Sequence, residues 1–293
     1  MPQSLEPLIN RPCQKGSRVK GNTIQCGEGA LAALGQKERM YFVGIDLGWQ
    51  SGGSGVCFLQ QTSIGLQLLD FHHCDTRPEV LTLLDHCIPL GAPALIAVDA
   101  PTLIPNETGM RECDRLAHRY FGKYDAGCYP ANQGRPFASA LIEFGLELEA
   151  RGFQHAPQLS PQQTGRYQIE LFPHPATIHL FRLSKILKYK KGRIAERRQA
   201  LAHLRHLQLT TFSTLVPALP LQESDLPSLP KGGKALKAVE DQLDSLTCAY
   251  AGAHWWWWGL ERNWVLGDAS GGYIVVPAPY PDQLDPRLPE ESG

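Results

Sequence analysis

The chain has 293 residues, 43% of them hydrophobic, enough for one large or two modest domains with a buried core. Lys and Arg total 28 against 29 Asp and Glu, a formal net charge of −1. This balance supplies no global basic field of the kind that marks strong non-specific nucleic-acid binders, so an anionic substrate needs a local patch or a metal.

Residues 1–38 are rich in Gly, Gln, Ser and Pro and hold no apolar stretch like a signal core, so a flexible N-terminal arm is expected there. The eight cysteines form no C-x-x-C pair, which argues against a zinc ribbon and for reduced thiols in a cytoplasmic protein. Tyr41 to Gly48 reads as a first strand, the Gly52-Gly53-Ser54-Gly55 cluster as a turn, Val56 to Gln60 as a second strand and Leu66 to Phe71 as a third. Short turns between them predict an antiparallel meander. Thr76 and Glu79 make a capping-box pattern for a helix to about Cys87, with Leu81, Leu84 and Ile88 facing inward.

Leu95 to Asp99 is a continuous apolar run ending in an acid, suited to a central buried strand. Helical patterns follow at Thr108 to Tyr120 and Phe137 to Arg151, then a fifth strand at Tyr167 to Phe172, carrying Glu170. Arg193 to His206 is a basic helix, and Thr210 to Gly233 is a Pro- and Ser-rich connection. A last helix runs from about Ala235 to Trp258, and Gly267-Asp268 with Gly271 to Val276 suggests a closing hairpin before a tail at 280–293. Leu246 to Leu260 is the most apolar late run, but Thr247 and His254 interrupt it short of the roughly 18 apolar residues of a spanning helix, so no membrane segment is predicted.

Acids punctuate this plan. Asp46 ends the first strand, Asp99 ends the fourth, and Asp241 and Asp244 sit three apart on the last helix beside the stripe Leu236, Val239, Leu243, Leu246 and Tyr250. Burying acids beside strand cores is costly unless a positive charge compensates, so the set reads as oxygen ligands for divalent cations. Each acid also has a plainer reading: Asp46 suits an Asp-x-Gly turn, Asp99 a cap, and the helical pair a solvated edge. Arg111 and Arg115, four apart, could grip a phosphate or pair with nearby acids. The cluster Lys185, Lys188, Lys190, Lys191 and Arg193 could track a nucleic-acid backbone or form a solvated face. His72-His73 and the five-apart His174 and His179 lack metal-site spacing, and Trp255 to Trp258 suits packing better than base stacking.

Together Gly44-Ile45-Asp46, Val98-Asp99-Ala100-Pro101, Arg111-Glu112-Cys113-Asp114, Glu170-Leu171-Phe172-Pro173, Lys188-Tyr189-Lys190 and Asp241-Gln242-Leu243-Asp244-Ser245 carry a resemblance. The chain is similar, over roughly residues 40 to 278, to the family called domain of unknown function 429, described as predicted RNase H-like nucleases, and more distantly to RuvC-type resolvases. Ser245 departs slightly, since such helices more commonly carry Ala.

The resemblance implies one RNase H-like α/β domain over 39–279, a five-stranded mixed sheet of order 3-2-1-4-5 with helices on both faces and a helical insertion at about 103–165. It also implies a metal-dependent phosphodiester hydrolase, a nuclease, using two Mg²⁺ or Mn²⁺ ions about 3.5–4 Å apart. Asp46, Asp99, Asp244 and Asp241 would be the ligands and Glu170 a further catalytic acid, with Arg111, Arg115, Lys188, Lys190 and Lys191 on a nucleic-acid or nucleotide-like substrate. Two rival readings stay open: an ATP-binding protein of the actin-like and sugar-kinase superfamily, and a non-catalytic pseudo-nuclease that binds nucleic acid or protein.

Overall fold

The computed structural model describes residues 39–50 and 52–280. The expected N-terminal arm therefore lies outside the described residues, as does the expected tail beyond Tyr280. Strands β1 (Tyr41–Asp46), β2 (Ser54–Gln61) and β3 (Leu66–Cys74) form the expected antiparallel meander. Helix α1 (Arg77–Cys87) crosses to β4 (Ala94–Val98), which pairs parallel to β1.

Helices α2 (Glu112–Phe121) and α3 (Ala138–Ala150) and the two-residue strand β5 (Gln154–His155) precede β6 (Arg166–Glu170), parallel to β4. The sheet order is β3-β2-β1-β4-β6-β5. This is the order that the RNase H-like resemblance implies, with β6 as the anticipated fifth strand. The sixth strand corrects the expected count; two residues are too few to leave an alternating pattern.

Helices α4 (Pro173–Leu180), α5 (Ile194–Thr211) and α6 (Gly233–Trp258) follow, and β7 (Asn263–Asp268) and β8 (Gly272–Pro277) close the described chain as a separate antiparallel hairpin. At α1, Thr76 accepts from the Glu79 N–H as predicted, while the Glu79 carboxylate accepts from Asp75 N–H, one residue earlier than a capping box requires. Val80, rather than Leu81, is fully buried beside Leu84 and Ile88.

Alternation along the strands divides the core. Phe42, Cys57, Leu59, Leu95, Ala97 and Ile169 face α6, while Val43, Ile45, Val56, Phe58, Ile96 and Val98 face α1 and α3. The helices of the anticipated insertion after β4 divide between two places: α3 covers a sheet face, and α2 packs through Cys113, Ala117 and Phe121 on the β7–β8 hairpin.

Backbone proximity fixes α6. A Cβ on Gly44 would stand 1.9 Å from the Ser245 carbonyl oxygen and 2.2 Å from Ala249 N, and one on Gly55 would stand 2.1 Å from the Asp241 carbonyl oxygen. Only glycine at those two places lets the helix lie on β1 and β2 so closely. The Trp run pins the end of the same helix: Trp255 and Trp256 donate to the carbonyls of Ala156 and Gln163, and Trp258 to that of Val216. The packing reading of that run therefore accounts for it.

Among the described residues no helix is long and apolar enough to cross a membrane. Cys57, Cys74, Cys87, Cys113, Cys128 and Cys248 are free thiols.

Candidate functional site

Asp46 closes β1 on the face of Phe42 and Gly44, toward α6. Asp99 follows β4 in phase with Leu95 and Ala97, and its N–H donates to the Ile45 carbonyl at 2.8 Å, so the two acids end adjacent parallel strands side by side. Close seating of α6 on Gly44 and Gly55 brings Asp241 and Asp244 down onto them. Asp46, Asp241 and Asp244 are 8%, 2% and 0% exposed, so the cluster is held out of water rather than displayed.

The carboxyl of Asp46 stands among those of Asp99, Asp241 and Asp244, each of which acts on its neighbours' ionisation. No hydrogen-bond donor reaches the buried Oδ2 of Asp46. Burial pushes the Asp46 carboxyl up to about 7, with Lys190 opposing the shift and Asp244 and Asp241 adding to it. Burial likewise raises Asp99 well above the usual carboxylate range, again against Lys190 and with Asp46 and Asp244. Asp241 is raised by burial, with Lys237 opposing.

Two lysines stand among these acids. Lys190 Nζ is 2.8 Å from Asp244 Oδ2 and 3.9 Å from Asp99 Oδ2. Burial works against its charge, but Asp244, Asp46 and Asp99 outweigh burial and hold the ammonium above the usual lysine range. Next to it, Tyr189 is buried and donates through its hydroxyl to Asp244 Oδ1 at 2.7 Å. Lys237, one helical turn before Asp241, lies 2.5 Å from Asp241 Oδ1 and 2.8 Å from Glu240 Oε1. On the far side, His73 Nε2 is 3.4 Å from Asp241 Oδ2.

Sequence reasoning missed both Lys237 and His73 as members of this cluster. The four-residue step from Lys237 to Asp241 was a usable signal. That of His73 was not, because only strand pairing carries β3 to the end of α6.

The remaining candidates lie outside this acid cluster, although Arg111 and Glu170 line the same crevice as Asp46 and Asp99. Val98 pairs with Glu170 in the β4–β6 register, so Glu170 points to the α1 and α3 side rather than toward α6. It meets Arg111 in a two-pronged contact, Nη1 to Oε2 at 2.6 Å and Nη2 to Oε1 at 2.7 Å. Arg111 also reaches Asp114 at 2.8 Å and the Leu103 carbonyl at 3.0 Å, and it is 3% exposed. Arg115 is exposed and pairs with Glu112. Lys185 and Lys188 lie on the surface near Asp125, and Lys191 is exposed. The expected basic patch is thus divided, with Lys190 turned inward.

A crevice of about 330 Å³ opens over the strand ends and is lined by Asp46, Asp99, Lys190, Trp49, Phe172 and His174 among others. Trp49 Nε1 donates to the Asp99 carbonyl at 3.0 Å, which ties the loop after Asp46 to the end of β4. The donor set suits a hard divalent cation: carboxylate oxygens, two of them, Asp46 Oδ2 and Asp244 Oδ2, buried without a hydrogen-bond donor, the second meeting only the Lys190 ion pair, and four acids against two ammonium groups. As they stand, however, no three or more His, Cys, Asp and Glu side chains among the described residues are arranged so that they could hold a metal ion.

The chain belongs to the DUF429 family, whose model, described as a protein of unknown function, matches residues 44–264. No curated protein matches it. Among solved structures, T. thermophilus RuvC in complex with Holliday junction substrate is similar at 12% identity and a TM-score of 0.31, over 74% of this chain and 94% of that one.

Proposed function

We propose that this chain is a metal-dependent phosphodiester hydrolase, with Asp46, Asp99, Asp241 and Asp244 as the residues that would hold Mg²⁺ or Mn²⁺. The observation that carries this reading is geometric: four acids converge at the ends of β1 and β4 against two ammonium groups, and Asp46 Oδ2 and Asp244 Oδ2 have no hydrogen-bond donor. Divalent ions, when bound, supply activation of water and stabilisation of the leaving oxygen in an in-line displacement.

The chain's own residues provide the rest. Asp46, whose neighbours include both Asp99 and Asp241, would be the ligand at the centre of the set. Tyr189 orients Asp244 through Oδ1, and Trp49 steadies the backbone at Asp99. Trp49 and Phe172 give the crevice apolar walls beside which the base or sugar of a nucleotide-like substrate would lie. Near-neutral overall charge favours a substrate gripped locally over a long duplex held by a basic field.

The test is a cleavage panel of single-stranded and duplex DNA, RNA, RNA–DNA hybrid, branched DNA and small phosphodiesters, with Mn²⁺ or Mg²⁺. Wild type should cleave at least one of these, and Asp46→Asn should not, at unchanged fold. Equal activity of Asp46→Asn would overturn the assignment. ATP hydrolysis without phosphodiester cleavage would favour the actin-like reading, and partner binding independent of Asp46 the pseudo-nuclease.

A further inference from the structure

We propose that Lys190 is the resident counter-cation of the acid cluster, and that it leaves Asp99 and Asp244 when a divalent ion binds there. This inference rests on the metal reading above. Lys190 Nζ stands between two of the acids, at 2.8 Å from Asp244 and 3.9 Å from Asp99. The other nearby ammonium, Lys237, is committed to Asp241 and Glu240 and does not serve that side of the cluster.

An ammonium has three donors and one charge, so it cannot satisfy four carboxylates, and Asp46 Oδ2 is left without a donor. A hard divalent ion offers twice the charge and up to six or more oxygen positions, which makes it the better partner for these acids.

The geometry gives Lys190 somewhere to go. Its base is fixed, because the Tyr189 hydroxyl holds Asp244 Oδ1 and Arg197 Nε donates to the Tyr189 carbonyl at 2.8 Å. Its side chain, however, is 32% exposed and borders the crevice. Released from Asp244, the ammonium would swing into that crevice from an anchored backbone, where its natural partner is the phosphate of a bound substrate. One residue thus guards the acids when the site is empty and binds the anion when it is loaded.

Competition of this kind weakens metal binding, because the ion must displace an ion pair. Calorimetric titration with Mn²⁺ alone should show Lys190→Gln binding at least about tenfold more tightly than wild type. Equal or weaker binding by a folded Lys190→Gln overturns the counter-cation role but leaves the metal reading intact. Failure of both proteins to bind Mn²⁺ at millimolar concentration overturns the two together.

A second measurement needs no variant: mild acetylation of wild type followed by mass spectrometry. Lys190 should be protected in chelator and become several-fold more reactive at saturating Mg²⁺, with Lys188 unchanged as the internal control. Unchanged Lys190 reactivity in Mg²⁺ that demonstrably binds would also overturn the proposal.

Discussion

Two buried polar clusters share the walls of one crevice, and they are balanced in opposite ways. In the first, Arg111 spreads its guanidinium across Glu170, Asp114 and the Leu103 carbonyl, and Asp114 also accepts from the N–H groups of Arg111 and Ala131. In the second, Asp46, Asp99, Asp241 and Asp244 face one another with two lysines between them and two oxygens, Asp46 Oδ2 and Asp244 Oδ2, without a hydrogen-bond donor. Both cost desolvation. Burial pushes the carboxyls of Glu170 and Asp46 alike up to about 7, so the clusters differ in their partners: both Glu170 oxygens accept from Arg111, whereas Asp46 Oδ2 has no donor, which fits a structural role for the first and the proposed cation-binding role for the second.

Breaking the balanced cluster should have the largest effect. Arg111→Met leaves Glu170 and Asp114 buried without their counter-ion, and removing one partner of a buried pair costs about 3–5 kcal/mol. Urea denaturation at pH 7 should show that loss. A change under about 1 kcal/mol would mean the Arg111 contacts hold no structure together, and the distinction between the clusters would fail.

Next comes a pH response away from both clusters. Burial lowers the imidazoles of His179 and His254 to about 4, with the Pro277 carbonyl and Asn263 respectively opposing the shift. A histidine held neutral in the folded state takes up its proton earlier when unfolded. Stability should therefore fall as pH drops from about 6.5 to 4, by on the order of 3 kcal/mol for each residue. His179→Asn should flatten that limb; an unaltered profile would place the acid sensitivity elsewhere.

Activity offers the sharper contrast between the two carboxylate types. Asp46→Asn should lose at least about 100-fold in cleavage, equivalent to about 2.7 kcal/mol of transition-state stabilisation, with its fold intact. Glu170→Gln should lose stability, and the molecules that remain folded should keep most of their activity. Abolished cleavage in fully stable Glu170→Gln would return Glu170 to the catalytic set that its sequence motif suggested.

The sequence made the second cluster readable because its members obey local rules. Asp46 and Asp99 end apolar strands, Asp241 and Asp244 share a helix face by their spacing, and Gly44 keeps that helix close. The meander and the parallel return strand were legible for the same reason, since period and turn residues are written locally.

What was not legible depended on register and direction. Glu170 is separated from Asp99 by strand parity, and parity across β4 and β6 is set by their pairing, which no local pattern records. Lys190 sat in a run that looked like a solvated face, and only the buried Tyr189 beside it turns the ammonium inward. His73 reaches Asp241 through the sheet, and β5 is too short to leave a period.

The smallest effect tests the imbalance most directly, because it predicts a stabilising mutation at a proposed metal ligand. In chelator, a group whose folded pKa is raised to about 7 contributes stability below its unfolded value of 3.8 and loses it as pH rises through about 7. At pH 8 the ionised Asp46 therefore opposes folding, through burial first and then through Asp244 and Asp241. Asp46→Asn removes that charge at nearly constant volume, and its amide can donate to the acids around it. The variant should be more stable than wild type by about 1 kcal/mol or more at pH 8 and should lose that advantage by pH 5, where the wild-type carboxyl holds its proton. Glu170 is also pushed up to about 7 by burial, but Arg111 holds both of its oxygens, so Glu170→Gln, which puts an amide NH2 against the guanidinium, should be less stable than wild type at pH 8. Paired urea titrations at the two pH values read both variants, and a destabilised Asp46→Asn at pH 8 would show that the acid cluster is balanced after all.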